Sequence, residues 1–143
     1  MERTRGSLAS QPLGHFRQMA LWQESQAFAE QVARYVAALA RNRAADPIAS
    51  QLVRSAGSIA ANIAEGYGRF SQAAYRNHLS IARGSAFESE SWIDLLMRLG
   101  YIDREDGDDL TSKCKAIQSM LTTRMKSLPP AKQPVARTSR GAS

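Results

Sequence analysis

The stretch GSIAANIAEGYGRFS, residues 57–71, decides how this chain folds, and it holds three of the nine glycines of the 143-residue sequence. Closely spaced glycines can cradle a phosphate group. Both common phosphate-binding spacings are absent, however: G-x-x-x-x-G-K-[ST] does not occur, and in G-x-G-x-x-G the third glycine would stand at Ser71. We therefore interpret Gly66 as the left-handed residue that ends one helix, and Ser71 as the N-cap of the next.

The residues before this turn predict a helix over 47–65 with two distinct faces. Asp46 is predicted as its N-cap and Pro47 as its first residue. Gly57 lies in mid-helix and costs about 1 kcal/mol relative to alanine, which predicts close packing of another helix there. The apolar face, with a spacing of three or four residues, consists of Ile48, Leu52, Ala56, Ile59 and Ile63. The polar face consists of Arg54, Ser58, Asn62 and Glu65.

The same periodicity predicts three further helices and no strand. The first spans 16–41, and the third spans 72–99 and closes at Gly100. The fourth begins near Asp103, where an acidic run suits a helix N-terminus. Short connections favour antiparallel neighbours, so the predicted fold is all-α, an antiparallel up-down four-helix bundle. The predicted inner residues of the first helix are Met19, Trp22, Gln26, Ala29, Val32, Ala33, Val36, Leu39 and Ala40.

Composition predicts one domain with two polar extensions. Hydrophobic residues make up 43% and charged residues 22%, as in ordinary globular proteins. We predict a flexible arm at 1–14, the bundle at 15–128 and a disordered basic tail at 129–143. The single cysteine, Cys114, excludes an internal disulfide, and no run of about 18 apolar residues is long enough to span a membrane. We expect a cytoplasmic protein without a membrane partner.

Charge is unevenly distributed along the chain, although the net value is only +6. Residues 34–83 carry seven arginines against two acids, a net of +5. Residues 88–109 carry eight acids against two arginines, a net of −6. This segregation favours polyanion binding, head-to-tail self-association, or both. The alternative is that these residues form solvated helix faces with no partner.

The titratable side chains outline no catalytic or metal site. His15, His78 and Cys114 stand alone, without the spacing of metal ligands. The enzymatic alternative is acid–base chemistry around His78 or Glu65, but no nucleophile, base and orienting group converge there. We therefore expect a non-enzyme with no metal and no cofactor.

Arginines instead predict a nucleic-acid site. Several are spaced by seven residues, which places them nearly in line along a helix, where guanidinium groups can follow phosphates. The alternative is solvated arginines with partners on their own helix. The predicted nucleic-acid-binding residues are Arg34, Arg41, Arg54, Arg69, Arg76 and Arg83. Neighbouring aromatic residues that could stack on bases, or simply pack in the core, are Tyr67, Phe70 and Tyr75.

Two blocks, LVRSAGSIAANIAEGYGR at 52–69 and YRNHLSIARGSAFESESWIDLLMRLGYI at 75–102, resemble the four-helix-bundle family of 23S ribosomal RNA intervening-sequence proteins. That family also includes accessory variability proteins of diversity-generating retroelements. The resemblance implies a homopentameric ring or barrel with a basic surface. In the retroelement branch it implies binding of RNA or DNA and of a partner reverse transcriptase. We expect the polar stripe of Ser58, Asn62 and Glu65 to meet a neighbouring helix or subunit through hydrogen bonds, and we group Gly66 with these structural residues. The alternative is an ordinary solvent-exposed stripe.

Two functional hypotheses follow. The first is a non-enzymatic, oligomeric accessory protein that binds nucleic acid, a reverse transcriptase and its template RNA. The alternative is a bundle of the ribosomal RNA intervening-sequence type that acts as a self-assembling protein-interaction scaffold, with the basic and acidic parts paired between subunits.

Overall fold

The computed structural model describes residues 15–130, and this part of the chain contains helices and no strand. A short 3-10 helix, Phe16–Gln18, precedes four α-helices. These are α1 (Ala20–Ala38), α2 (Ala45–Tyr67), α3 (Gln72–Arg98) and α4 (Arg104–Ser127). None of them has the length and hydropathy of a bilayer-spanning helix. The predicted arm at 1–14 and all but two residues of the predicted tail lie outside the described residues.

The four helices enclose one hydrophobic core in antiparallel order. Ser55 of α2 bonds to Ser89 of α3, and Ser58 bonds to Ser85, so the numbering runs in opposite directions on the two helices. The pairing of Arg83 with Thr122 and of Arg76 with Met125 shows the same for α3 and α4. The largest fully buried side chains include Phe28, Leu52, Ile63, Leu79, Ile93 and Leu121. The all-helical prediction is confirmed for the described residues.

The first helix differs most from its prediction. Met19 has extended backbone angles and separates the 3-10 helix from α1, which ends before an extended Leu39. The buried residues of α1 are Leu21, Ser25, Phe28 and Val32. Three predicted inner residues are exposed instead: Gln26, Ala33 and Ala40. The predicted inner face of α1 is wrong because Ser25, a polar residue, is buried in the core. Its hydroxyl donates a hydrogen bond to the Leu21 carbonyl oxygen at 2.7 Å, which satisfies the buried polar group.

The start of α2 also differs from its prediction, because Asp46 is not its N-cap. The side-chain oxygen of Asn42 accepts hydrogen bonds from the amides of Ala44 and Ala45 at 2.9 and 3.1 Å. The Asp46 carboxylate accepts one from the Asn42 amide at 3.1 Å. This reciprocal pairing resembles a capping box, and it places Pro47 at the third helical position rather than the first.

Later turns follow their predictions. Ser71 caps α3 by accepting a hydrogen bond from the Ala74 amide at 3.1 Å. Asp103 caps α4 by accepting one from the Asp106 amide at 2.8 Å. Gly100 has a φ of 78° and ends α3 in the left-handed conformation, which glycine adopts at little cost.

Two glycines of the opening stretch play roles opposite to their predictions. Gly66 is a buried residue inside α2, and a Cβ atom added there would lie 2.6 Å from the Cβ atom of His78. The absence of a side chain therefore permits close approach of α3. Gly57 is exposed, and a Cβ atom added there would meet nothing within 4 Å. Among residues 15–130, no packing partner explains its presence in mid-helix.

Candidate functional site

The polar residues of the opening stretch lie in the α2–α3 interface. We use this name for the polar and small residues along the contact between the two helices. From α2 they are Arg54, Ser55, Ser58, Asn62, Glu65 and Gly66; from α3 they are His78, Ser85, Glu88 and Ser89. The contact is direct at both ends: Arg54 forms an ion pair with Glu88, and Gly66 lies against His78.

Serine pairs fill the middle of this interface. The hydroxyls of Ser55 and Ser89 are 2.8 Å apart, and those of Ser58 and Ser85 are 2.9 Å apart. Ser55 and Ser89 are fully buried. Each small hydroxyl allows the helices to approach closely and finds its partner within the chain, as buried polar groups require.

A second hydrogen-bonded group lies nearer the α2–α3 turn. The Asn62 amide nitrogen donates to the Ser58 carbonyl oxygen at 2.8 Å, and its oxygen is 3.3 Å from Nδ1 of His78. The Glu65 carboxylate is 3.9 Å from the same His78 nitrogen and accepts a hydrogen bond from Arg69 at 2.7 Å. Among residues 15–130, no buried side-chain nitrogen or oxygen lacks a partner. The arrangement stabilises the helix contact.

The predicted arginines do not share one face, and four of the six pair with carboxylates. Arg34 lies 2.9 Å from Glu30, Arg41 3.2 Å from Asp46 and Arg69 2.7 Å from Glu65, while Arg54 pairs with Glu88. The Arg34–Glu30 pair lies on one helix at a separation of four residues, as the alternative interpretation expected, whereas Arg69 lies in the turn after α2. The positive charge of each of these four arginines is therefore largely neutralised by its carboxylate partner.

Arg76 and Arg83 have only neutral partners among the described residues. Arg76 donates to the carbonyl oxygen of Met125 at 3.3 Å and to that of Pro129, at the end of α4. Arg83 donates to the Thr122 hydroxyl at 2.9 Å. Carbonyls and hydroxyls cannot cancel a full positive charge, so both guanidinium groups keep an unbalanced charge beside α4.

One cation of α4, Lys126, joins them, and the sequence-based site omitted it. Lys126 lies in the last turn of α4, four residues after Thr122, and so on the same side of the helix as the partner of Arg83. Arg124 lies two residues after Thr122 and therefore faces another side of α4, where its guanidinium carbon is 5.7 Å from the centre of the Tyr75 ring. We call Arg76, Arg83 and Lys126 the basic half of the α3–α4 face. The seven-residue spacing on α3 predicted two members, and the antiparallel pairing of α3 with α4 adds the third.

The same face is acidic beyond Phe87. A groove of about 450 Å³ opens between α3 and α4 there, and its lining includes Glu90, Asp94, Asp108 and Lys115. We call Glu90, Asp94 and Asp108 the acidic half of the α3–α4 face. Asp94 lies 2.7 Å from Arg98, so its charge is largely balanced, and Glu90 and Asp108 against Lys115 leave this half weakly negative. The sign of this face therefore changes along the bundle.

The described residues contain no gathered set of metal ligands: no three His, Cys, Asp or Glu side chains could hold one ion. Cys114 is fully buried, with its sulfur 2.9 Å from the Ala86 carbonyl oxygen. Burial, and next the nearby charge of Glu90, raise the pKa of this thiol to about 12. A neutral buried thiol is a poor nucleophile.

Comparison with known proteins gives the family. A family model described as 23S rRNA-intervening sequence protein matches residues 17–123. The chain belongs to this family. A solved structure of a similar protein supports this family assignment. It is a crystal structure of a protein of unknown function from the S23 ribosomal protein family of Bacteroides thetaiotaomicron. It is 30% identical, with a TM-score of 0.71, covering 76% of this chain and 100% of that chain. No curated protein matches the chain.

These comparisons confirm the resemblance to the 23S rRNA-intervening sequence protein family, and the structure shows where the matching residues lie. Many of the residues that carried it, including Ser58, Asn62, Gly66 and Ser85, lie in the α2–α3 interface. The pattern that identifies a 23S rRNA-intervening sequence protein in this chain is therefore largely a helix-packing pattern. Neither description names a catalytic activity, a retroelement or a reverse transcriptase.

Proposed function

We propose that this protein is a non-enzymatic helical scaffold that self-assembles through surfaces of opposite charge. The observation that carries the proposal is the separation of charge along the bundle. The half that contains the α2–α3 turn (residues 15–28, 57–85 and 116–130) has six basic and two acidic residues, a net of +4. The other half (29–56 and 86–115) has eight basic and ten acidic residues, a net of −2.

Opposite charge on one molecule favours contact between copies, because the basic part of one can face the acidic part of another. The polar groups of the α2–α3 interface are hydrogen-bonded to one another within the chain. They do not form a reactive centre. The homopentameric ring stays a prediction. It is one of the assemblies that such charge pairing could support.

The molecular mass in solution tests this proposal. We expect light scattering to give more than one protomer at about 0.05 M salt and a lower mass at about 1 M, where the Debye length falls to about 3 Å. A mass near five protomers would favour the predicted ring. A single protomer at every salt and protein concentration would contradict the scaffold proposal.

A second candidate function is the nucleic-acid accessory role. The specific observation in its favour is that Arg76 and Arg83, which lie on one side of α3, have no carboxylate partner among the described residues. Such guanidinium groups can bind phosphates, and their release of counterions makes affinity fall steeply with salt. RNA or DNA would then bind the basic half of the α3–α4 face.

Fluorescence anisotropy with a labelled single-stranded RNA tests this candidate. We expect the Arg83→Glu/Lys126→Glu variant to bind at least about tenfold more weakly than the parent, because it replaces two phosphate contacts by repulsion. Arg34→Glu, where the arginine already pairs with Glu30, is the matched control. Unchanged RNA affinity in the double variant would exclude this surface. Co-purification with a retroelement reverse transcriptase tests the remaining part of the hypothesis.

A further inference from the structure

We infer that copies of this chain also pack side by side, with an apolar row on α3 of one copy seated in the groove between α1 and α2 of the next. The inference goes beyond the proposed charge pairing, because it names a second contact between copies, one whose charged residues are already paired within the chain. The two charged halves then remain available for contacts of the proposed kind.

The row on α3 consists of large apolar side chains that the bundle leaves uncovered. Ile81 and Leu99 are 45% and 49% exposed, and Leu95 between them is half-buried. Together with Glu88 they recur at intervals of seven and four residues, so they share one side of the helix. Because Glu88 pairs with Arg54, this side lies next to α2. We call Ile81, Leu95 and Leu99 the α3 row.

The groove between α1 and α2 provides a hollow for such side chains. A cavity of about 580 Å³ opens between the end of α1 and the start of α2, and its lining includes Val36, Ala37, Ala40, Ala49, Ser50 and Val53. The hollow continues past Gly57 and Ala61, which lie two and three turns after Ser50 on the same side of α2 and are small and exposed. We call the cavity and this continuation the α1–α2 groove. A neighbour seated here also gives Gly57 the packing partner that residues 15–130 of its own chain do not provide.

The row and the groove lie at matching levels of the bundle. Ser58 of α2 lies opposite Ser85 of α3. Four residues back along α3 and three forward along α2, Ile81 is therefore level with Ala61. Ten residues in the other direction, Leu95 is level with the start of α2, where the cavity opens. A rotation about an axis parallel to the bundle keeps these levels, so both ends of the row meet the groove of the next copy at once.

The charged residues of both surfaces are paired within the chain. Glu88 beside the row pairs with Arg54, and Arg41 in the lining of the groove pairs with Asp46. Such surfaces suit an interface, because interface centres are depleted of charge. The basic half of the α3–α4 face lies on the other side of α3. Copies packed this way keep those cations about two helix diameters apart, roughly 20 Å, beyond the Debye length of about 8 Å at physiological salt.

The surfaces are also large enough for a stable contact. The helices α2 and α3 have 23 and 27 residues and are about 35 and 40 Å long. A strip two helices wide, about 20 Å, offers about 700 Å² per copy. This area is close to the roughly 800 Å² that each partner buries in a standard protein interface.

The row and the groove lie on adjacent sides of the bundle, one on each side of α2. Contact between two different patches is heterologous, and it generates a closed ring when the rotation between copies divides a full turn. Patches about 90° apart close a ring of four copies, and an opening to about 108° closes the predicted ring of five. The contact therefore fits a small ring.

Cross-linking tests this contact in the full chain. Ala61→Cys and Ile81→Cys are prepared separately, assembled alone or as an equimolar mixture, and treated with a short bismaleimide. We expect linked pairs in the mixture and none in either variant alone, because the contact brings Ile81 to Ala61 and keeps it away from its own counterpart. Cys114 should not react, since it is fully buried.

Sedimentation gives a second, independent readout. Ile81→Arg and Ala61→Arg should each associate at least about tenfold more weakly than the parent, because each places a charge at the centre of an apolar contact. Ser119→Arg, on an exposed side of α4, is the matched control and should associate like the parent. Circular dichroism shows whether each variant is folded. The parent should keep more than one protomer at about 1 M salt, because salt screens charges and does not weaken apolar contacts.

The outcomes separate this inference from the scaffold proposal. If the parent assembles and folded Ile81→Arg and Ala61→Arg match it, or if a single-cysteine variant links to itself, this contact is wrong although the scaffold proposal stands. Complete separation into protomers at about 1 M salt would show that charge alone holds the assembly, and it would also contradict the inference. An assembly that ignores salt but is lost in both arginine variants would support the side-by-side contact and contradict the charge-based proposal. If the parent is a single protomer under every condition, both proposals fail.

Discussion

The α2–α3 interface and the α3–α4 face contain similar polar residue types but use them differently. In the interface, buried hydroxyl pairs such as Ser55 with Ser89 find their partners inside the chain. On the face, Arg83 is exposed and keeps an unbalanced charge. The contrast shows that residues which identify the family build its fold. Residues whose interactions remain incomplete within one chain are better candidates for function.

The largest effect should come from filling the closest contact of the α2–α3 interface. In Gly66→Ala the new methyl group would meet the Cβ atom of His78 at 2.6 Å and the Tyr75 ring at 3.0 Å. A Cβ atom cannot rotate away, so the helices must separate. We expect the free energy of unfolding, measured by urea denaturation, to fall by about 2–3 kcal/mol. A variant as stable as the parent would show that the helices can separate at this point without loss.

Removing one buried hydroxyl should have a smaller effect on the same interface. Ser89→Ala deletes the partner of Ser55 and a hydrogen bond to the Ser85 carbonyl oxygen. We expect a loss of about 1–2 kcal/mol in thermal or chemical unfolding. The double variant Ser55→Ala/Ser89→Ala should lose less than the sum of the two single changes, because both remove one shared bond. Strict additivity would contradict the pairing.

The matched glycine on the exposed side of α2 should respond in the opposite direction. Gly57 is helical and a Cβ atom there has open space. Gly57→Ala should raise the free energy of unfolding by about 0.5–1 kcal/mol, because alanine loses less backbone freedom on folding. Destabilisation, or a loss of assembly in the same sample, would reveal a helix packed against this side.

The smallest effect should come from an exposed ion pair. Arg34 and Glu30 are a surface pair on one helix, with side chains 78% and 63% exposed. Arg34→Gln should change the free energy of unfolding by less than about 0.5 kcal/mol, because water and salt screen such pairs. A change above 1 kcal/mol would show that surface charge contributes as much to this fold as the buried polar interface does.

Much of the fold could be predicted from periodicity, since apolar residues of α2 such as Leu52 and Ile63 recur at helical spacing and are fully buried. The residues of α1 that face the core could not be predicted as easily. A buried serine, Ser25, looks polar in the sequence, and its internal hydrogen bond appears only in three dimensions. The role of Gly66 differs from the predicted C-cap for a related reason. A glycine near a helix end is typical of a C-cap, and only the position of His78 shows that it permits close packing.

The candidate site was predictable only in part. The spacing of Arg76 and Arg83 placed them in line on one helix, and the structure places both beside α4. Spacing could not show that Arg54 meets Glu88, since the partner lies 34 residues away on another helix. Nor could it add Lys126, which joins the group through the antiparallel pairing of α3 and α4.

The single cysteine has a practical consequence for any measurement of assembly. Cys114 is the only thiol in the sequence and is enclosed by the core. Oxidation in air therefore cannot link folded copies covalently, and a multimer seen without reductant must be held by reversible contacts. The same thiol can also serve as a kinetic probe of local unfolding. Its rate of alkylation at neutral pH reports how often the four helices open, and binding of a second copy should slow that rate if it restrains α4.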